Sequence, residues 1–485
     1  MQKVFVSLAL LLTSFTVLAE PWIDTRDPWL RADIEALANH GVIKVPITTW
    51  PLMWAPIVRD LEEVDNQLLS NKVMPIYMRV KRRARFETKH ESNSFLILKA
   101  GNQGKILRHY GDDRREKAEI TTKNTGVSKN FAWNIEATRA FDPIDGEENR
   151  LDHSYIAAVW GNWILSAGAQ ERWYGSGWDT SLILSNNARP VPALSIQRNY
   201  SDAFESPWLS WIGPWTFNAF IGQLESDRHV PHAKLLGMSV NFKPFNSLEI
   251  GLRRTAQWGG EGRPQNLSNF FNLLIGRDNC DELEGGCGAD RSNEPGNQLA
   301  GIDFKWRIPT KKYYGSLYGQ LIGEDEAGYL PSRKIYQFGY STDFQLGDLD
   351  ISSYIEYADT ENEYRTNLTY NNAIYRTGYR TELRSLGSTF DNDSQSVGLG
   401  LIATHKNGDK YKLKLTNVNM NSDGVGEEHS ISTTNIKFNQ IEFHYLNTTK
   451  YGLIGAQIEV KDKTIDTFGY QKEKYNISLS WKIKL

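Results

Sequence analysis

Only two of the 485 residues are cysteine, Cys280 and Cys287, and both stand in one stretch rich in Gly, Asp and Asn. A disulfide framework therefore cannot be what holds this chain together. In an exported protein the pair is expected to form one local disulfide, and with no histidine beside it the stretch does not read as a metal site. Long apolar runs are missing as well. Nothing after the N-terminal leader approaches the roughly 18 apolar residues that a membrane-crossing helix needs. Positive charge is not in excess either: 55 Lys and Arg against 58 Asp and Glu leave a net charge of −3, which offers no footprint for nucleic acid. Catalytic signatures are absent too. There is no Gly-x-Ser-x-Gly elbow and no His-Glu-x-x-His pair. His229 and His232, with Asp227 nearby, lie in a loop broken by Pro231, a poor frame for metal ligands. Adjacent acids such as Asp112 and Asp113 point to opposite sides of an extended backbone and make poor acid–base pairs. The expectation is no enzyme, no cofactor and no metal.

What is present begins at the N-terminus. Met1-Gln2-Lys3, the apolar run Val4 to Leu12 interrupted only by Ser7, and Val17-Leu18-Ala19 form the pattern of a secretory signal over residues 1–19. Mean hydropathy is −0.50, which in a helical protein would argue for solubility. A transmembrane β-barrel escapes that inference, because only alternate strand residues face lipid. The 15 Trp and 22 Tyr are what interfacial aromatic girdles require.

Two periodicities divide the mature chain. Over residues 20–92 the spacing is helical. Asp27 reads as an N-cap and Pro28 as a first-turn proline, with Leu30, Ile34 and Leu37 on one face and Gly41 at the end. A second helix follows Pro56, with Ile57, Leu61, Val64 and Leu68 on one face, and a third runs from Pro75 into Lys81-Arg82-Arg83. This small bundle is expected on the periplasmic side. Over 93–485 the period is two. The last residues show it best: Tyr475, Ile477, Leu479, Trp481, Ile483 and Leu485 alternate with polar neighbours. Many strands run to about ten residues, the bilayer-crossing length. Tight links, among them Asn124-Thr125-Gly126, Gly161-Asn162 and Leu346-Gly347-Asp348, alternate with long polar ones near 141–150, 171–191, 226–232, 257–296, 324–333, 360–394, 420–433 and 462–473. Short turns at one end and long loops at the other predict an antiparallel outer-membrane β-barrel of about eighteen strands.

Inward-facing positions carry both signs of charge, including Glu249, Arg253, Asp303, Lys305, Arg307, Glu356, Lys412, Lys414, Glu442 and Glu459. Such a set either lines a solvated wall or pairs with polypeptide that plugs the lumen; a selective pore would favour one sign. Segments 171–190 and 257–296 are the candidates for folding inward, the second with a short apolar helix over Leu267 to Ile275.

The string Arg172-Trp173-Tyr174-Gly175, then Ser181-Leu182-Ile183-Leu184-Ser185-Asn186-Asn187-Ala188-Arg189-Pro190, then Leu194-Ser195-Ile196-Gln197-Arg198 resembles the capsule assembly Wzi family. Asp27-Pro28-Trp29-Leu30-Arg31 and the closing strand resemble it too, so the likeness covers nearly the whole mature chain. It implies an eighteen-stranded barrel with a periplasmic helical bundle and a lectin-like role, holding capsular polysaccharide or exopolysaccharide at the cell surface. A porin for oligosaccharides is the alternative. Sugar recognition uses aromatic faces and planar polar groups. On that basis the ligand candidates are Trp258, Tyr329, Tyr364, Arg365, Tyr370, Tyr375, Arg376, Tyr379 and Arg380. Arg172, Trp173, Tyr174, Trp178, Asp179, Asn186, Asn187 and Arg189 are assigned to the inward motif. The expected partners are the polysaccharide, outer-membrane lipid and lipopolysaccharide, and the barrel assembly machinery, with the chain a monomer.

Overall fold

The computed structural model describes residues 21–89, 91–128, 130–274, 296–308, 314–327, 330–362, 368–425, 429–465 and 473–485. The leader 1–19, Cys280 and Cys287, Tyr329, Tyr364 and Arg365 lie outside the described residues.

Among the described residues 18 antiparallel strands close into a barrel, with Asn149–Arg150 and Tyr155–Trp160 counted as one interrupted strand beside Phe131–Phe141. Closure joins the first strand, Asn93–Gly101, to the last, Tyr475–Lys484, with Trp481 opposite Leu98. The side-chain alternation is the reverse of a soluble sheet. On the consecutive strands Lys410–Met420, Ile436–Thr449, Gly452–Lys461 and Tyr475–Lys484, Leu413, Leu415, Ile441, Phe443, Ile458, Ile477 and Leu479 are exposed outward. Lys412, Lys414, Glu442, Glu459, Asn476 and Ser478 are buried inward. A strand with apolar residues on its solvent-accessible face suits lipid, not water, on that side. No helix of the described residues is long and apolar enough to cross a membrane.

The link expected at Asn124-Thr125-Gly126 is instead part of strand Ala118–Val127. Gly126 lies opposite Trp133, whose ring would come within 2.5 Å of a Cβ at this position, and the Trp133 indole donates to Asn124 Oδ1 at 2.8 Å. The residues that read as turn chemistry are there to accommodate a cross-strand tryptophan.

Three helices precede the barrel: α1 Pro28–Asn39, α2 Trp54–Glu63 and α3 Met74–Glu87; α2 stops short of the expected face, because the chain turns extended at Val64 and leaves Leu68 exposed in a separate turn. Asp27 caps α1, accepting from the Leu30 N–H at 3.0 Å. The helices sit at the short-turn end and pack against inward-facing groups. Trp29 Nε1 donates to Tyr411 O at 3.0 Å, Glu35 pairs with Lys305 at 2.5 Å, and Asn39 donates to Asp343 at 3.0 Å. Arg79 bridges Asp33 of α1 (2.6 Å) and Asp350 of the wall (2.5 Å).

Candidate functional site

Two segments turn inward from the long-link end, 102–117 and 169–192, and both are largely buried. A wall carboxylate holds each of two inward stretches by its main chain. Glu356 accepts from the amides of Trp178 (2.7 Å), Asp179 (3.0 Å) and Thr180 (3.2 Å), from the Tyr318 hydroxyl (3.0 Å) and from Gln337 (2.6 Å). Glu249 accepts from the amides of Ile47 and Thr48, each at 2.9 Å, and from the Thr48 hydroxyl at 2.6 Å. These loop amides have no partner in a regular ladder, so a buried carboxylate oxygen that accepts from them meets an obligation that would otherwise be costly. The two stretches then meet each other, with Trp173 opposite Trp50 and Tyr174 opposite Thr49 in a two-residue antiparallel pair.

Arg31 of α1 joins segments 102–117 and 169–192 to the N-terminal helices. It pairs with Glu35 at 2.7 Å and donates to Ser176 O at 2.6 Å. Its guanidinium lies 4.2 Å from the Tyr110 ring and 4.0 Å from Trp178, where the ring faces attract it. The motif residues read from the sequence gather here. Trp173, Tyr174, Trp178, Asp179, Asn186 and Asn187 are buried. Tyr174 donates to Asn218 at 2.6 Å, Arg172 to Ser195 at 2.7 Å, and Arg189 pairs with Asp152 at 3.0 Å and Asp145 at 3.1 Å.

Segment 102–117 drew no specific expectation beyond its acid pair, yet it is central. Arg108 pairs with Glu171 at 3.1 Å, and Tyr110 packs edge-on against Trp50, Trp173 and Trp178. His109 Nδ1 lies 2.8 Å from Asp179 O and must donate to it, because a carbonyl only accepts. Burial holds this imidazole down at a pKa of about 4, so it is neutral at physiological pH. The one sequence signal that could have marked the segment is its loss of period-two alternation.

Among the described residues His109, Asp112 and Glu442 form a group whose ligand atoms lie within 4.8 Å of one another. Lysines already supply the positive charge. Lys105 is 3.0 Å from Asp112 and 2.7 Å from Glu442, and Lys412 is 3.7 and 3.6 Å from the same two. The group therefore reads as an internal ion-pair network.

Loop 368–394 lies over the inward motif. The Tyr379 hydroxyl donates to Ile183 O at 2.8 Å, Tyr370 to Leu182 O, and the Ser185 amide to Leu386 O at 2.8 Å. Tyr375 donates to Gly259 O at 3.1 Å, and Arg380 grips Asp391 through two bonds of 2.8 and 2.9 Å. Burial opposes ionisation of Asp391, but Arg380 outweighs it and holds that carboxyl at about 2. Trp258 packs on Phe270 with ring centroids 5.3 Å apart. The structure thus places Trp258, Tyr370, Tyr375, Tyr379 and Arg380 within the packing of the platform, while Arg376 is exposed on its surface. A two-residue hairpin, Arg380–Thr381 against Arg384–Ser385, projects Glu382 and Leu383, both in left-handed backbone (φ 46° and 64°). Leu383 is exposed at its tip, and the half-buried Arg384, paired with Thr381 through its backbone, stands in the field of Glu116, Asp391 and Asp145.

A closed barrel with apolar side chains outward, ionisable ones inward and two ends of unequal loop length defines an outer-membrane β-barrel protein. The comparisons carry this further. The structure of Wzi from Escherichia coli, an outer membrane protein involved in group 1 capsule assembly and a carbohydrate-binding β-barrel, matches with a TM-score of 0.82 at 26% identity, over 95% of this chain and 98% of that one. An uncharacterized 55.8 kDa protein of the cps region of Klebsiella pneumoniae is 34% identical over 347 residues, covering 70% of this chain and 65% of that protein, just under two thirds of the relative's length. The family model for capsule assembly protein Wzi matches residues 88–479, and the chain belongs to that family.

Proposed function

We propose that this protein spans the outer membrane as a plugged barrel and uses its external loops to bind and hold capsular polysaccharide or exopolysaccharide at the cell surface. Residues 1–19 serve as its export signal, the N-terminal helices lie on the periplasmic side, and the protein acts as a monomer in contact with lipopolysaccharide after delivery by the barrel assembly machinery. One observation carries the lectin reading over the porin: Glu249 and Glu356 clasp main-chain amides of segments that cross the lumen. Polypeptide fixed in the bore plugs the route that a water-filled porin keeps open. The carbohydrate-binding description of the Escherichia coli relative supports the ligand class. In this reading Arg376 and Arg384 meet the glycan, on a platform whose shape Tyr370, Tyr375, Tyr379 and Arg380 maintain.

Two measurements on the purified protein test this. In planar bilayers it is expected to pass negligible current. The cell-surface polysaccharide of the source organism is expected to bind it, and binding to weaken on replacing Arg376 and Arg384 together by alanine. Open-channel conductance, or failure to bind any surface glycan of that organism, overturns the proposal.

A further inference from the structure

At the short-turn end neighbouring strands are joined by turns such as Gly161–Asn162 and Gly347–Asp348, of two residues each. The link over residues 199–214 is different. It forms an ordered lobe tied to the wall at both ends. The Tyr200 amide donates to Asn162 at 2.7 Å, the Trp215 amide to Ser201 O at 3.1 Å and the Lys243 amide to Pro214 O at 2.9 Å. Gly213 has φ +69°, and a Cβ there would lie 2.0 Å from Lys243 O, so only glycine lets the lobe return this close to the strand.

Tyr200 and Asp202 face Arg59 of α2, and from Phe204 onward the lobe folds against the outside of the wall. Phe204 stacks on Trp215 with centroids 4.7 Å apart, and Trp211 meets Phe242 edge-on at 6.5 Å. Trp215 and Phe242 face outward, because Asn218 on the first strand and Asn241 and Lys243 on the second are the buried, inward positions. At its tip Trp208, Trp211 and Leu209 are 86%, 62% and 41% exposed. On the outward wall beside it Trp160 is also exposed, two residues before the Asn162 to which the lobe is bonded. Large apolar patches seldom face water without a purpose, and Trp is the side chain most suited to the membrane–water interface. The neighbouring strands Trp163–Gly168 and Ala193–Arg198 have six residues each, where crossing a bilayer takes about 9–11. The lobe therefore adds apolar surface where the wall is shortest.

We infer that residues 199–214 are a lipid anchor, inserted into the periplasmic leaflet of the bilayer beside this short sector. The occupant is phospholipid. Asp202 is paired with Arg59 at 2.5 Å and Glu205 is exposed, so the lobe carries no excess positive charge. Anchoring works through aromatic partitioning and is indifferent to anionic lipid and to salt. The inference rests on the membrane-spanning reading above, and the test separates the two.

In a Cys280→Ser/Cys287→Ser background, single cysteines are placed by Trp208→Cys, by Leu479→Cys on the outward wall and by Leu68→Cys on the exposed helical surface. Each is labelled with bimane in vesicles of phosphatidylethanolamine and phosphatidylglycerol. The expected result is that the labels at 208 and 479 lose fluorescence to nitroxide-bearing lipid and resist aqueous iodide, while the label at 68 does the opposite. Quenching at 208 by iodide with 479 still shielded overturns the anchor alone. Iodide access at both positions overturns the membrane-spanning barrel. Should the serine background not fold, the native-cysteine chain serves: Trp208→Phe with Trp211→Phe is expected to remove part of the tryptophan emission that brominated lipid quenches, at low and high salt alike, and an unchanged quenchable fraction overturns the anchor.

Discussion

Glu356→Ala removes the acceptor of three buried amides, those of Trp178, Asp179 and Thr180, and of the Tyr318 and Gln337 donors. Hydrogen bonds to a charged group are worth about 1.5–3 kcal/mol each, but burying the carboxylate costs several kcal/mol in return. The net loss is set by the donors left behind. Tyr318 and Gln337 can rotate to other partners, whereas the three amides are fixed and each costs about 1–3 kcal/mol when unpaired. The docked motif should therefore weaken by roughly 3–9 kcal/mol, a factor of about a hundred to a million in its undocking equilibrium. The barrel hydrogen bonds are untouched, so the variant should still run as a heat-modifiable band on a detergent gel. Hydrogen exchange is the direct assay. The amides of 178–180 should exchange faster by that factor, while strand amides of Tyr475–Lys484 stay protected. Current across a planar bilayer should rise from negligible to measurable. Glu356→Gln keeps the shape and one acceptor oxygen and should fall between. If the alanine variant exchanges at 178–180 as slowly as the parent, the carboxylate does not hold the motif and the reasoning fails.

Arg31→Lys keeps the charge but loses the planar stacking on Tyr110 and Trp178 and the fork to Glu35 and Ser176; it should cost about 2–4 kcal/mol of docking, read as faster exchange in 176–180. Acid should loosen the inward segments through His109. Its folded pKa of about 4 lies below the ordinary 6.5, so its contribution is intact above pH 6.5 and is lost as pH falls toward 4. By about 1.4 kcal/mol per unit the loss is roughly 3 kcal/mol, seen as conductance or exchange rising over that window and flattened by His109→Asn. The Arg380–Asp391 pair should survive this window, because Asp391, held at about 2, gives up its stabilisation only as pH falls from 3.8 toward 2. Tyr379→Phe loses one buried bond to Ile183 O and should weaken glycan binding only indirectly, by about 1 kcal/mol of platform stability, measurable as faster exchange of 183–187.

The barrel was legible because its evidence is local: Ile477, Leu479 and Trp481 alternate with Asn476, Ser478 and Ser480 within one strand, and a period of two has a single structural meaning there. The N-terminal helix was legible for the same reason, through Asp27, Pro28 and the stripe of Leu30, Ile34 and Leu37. The candidate site was only half legible. Glu249 and Glu356 could be recognised as inward charges, but their partners are main-chain amides 201 and 178 residues away, and an amide leaves no mark in a sequence. Tyr370, Tyr375 and Tyr379 read from the sequence both as rings offered to a sugar and, more readily at any single position, as girdle or loop-packing rings. Which of these holds depends on whether one loop folds onto another, and no short-range pattern encodes that. Trp208 and Trp211 present the converse case. As a Trp-rich stretch within a barrel they suggest a girdle in general, but only the contacts of Phe204 with Trp215 and of Trp211 with Phe242, two outward-facing rings, place their lobe against the outer side of the wall. Local periodicity thus specifies the wall, whereas what fills the bore and what decorates its rim are decided by pairings between segments far apart in the chain.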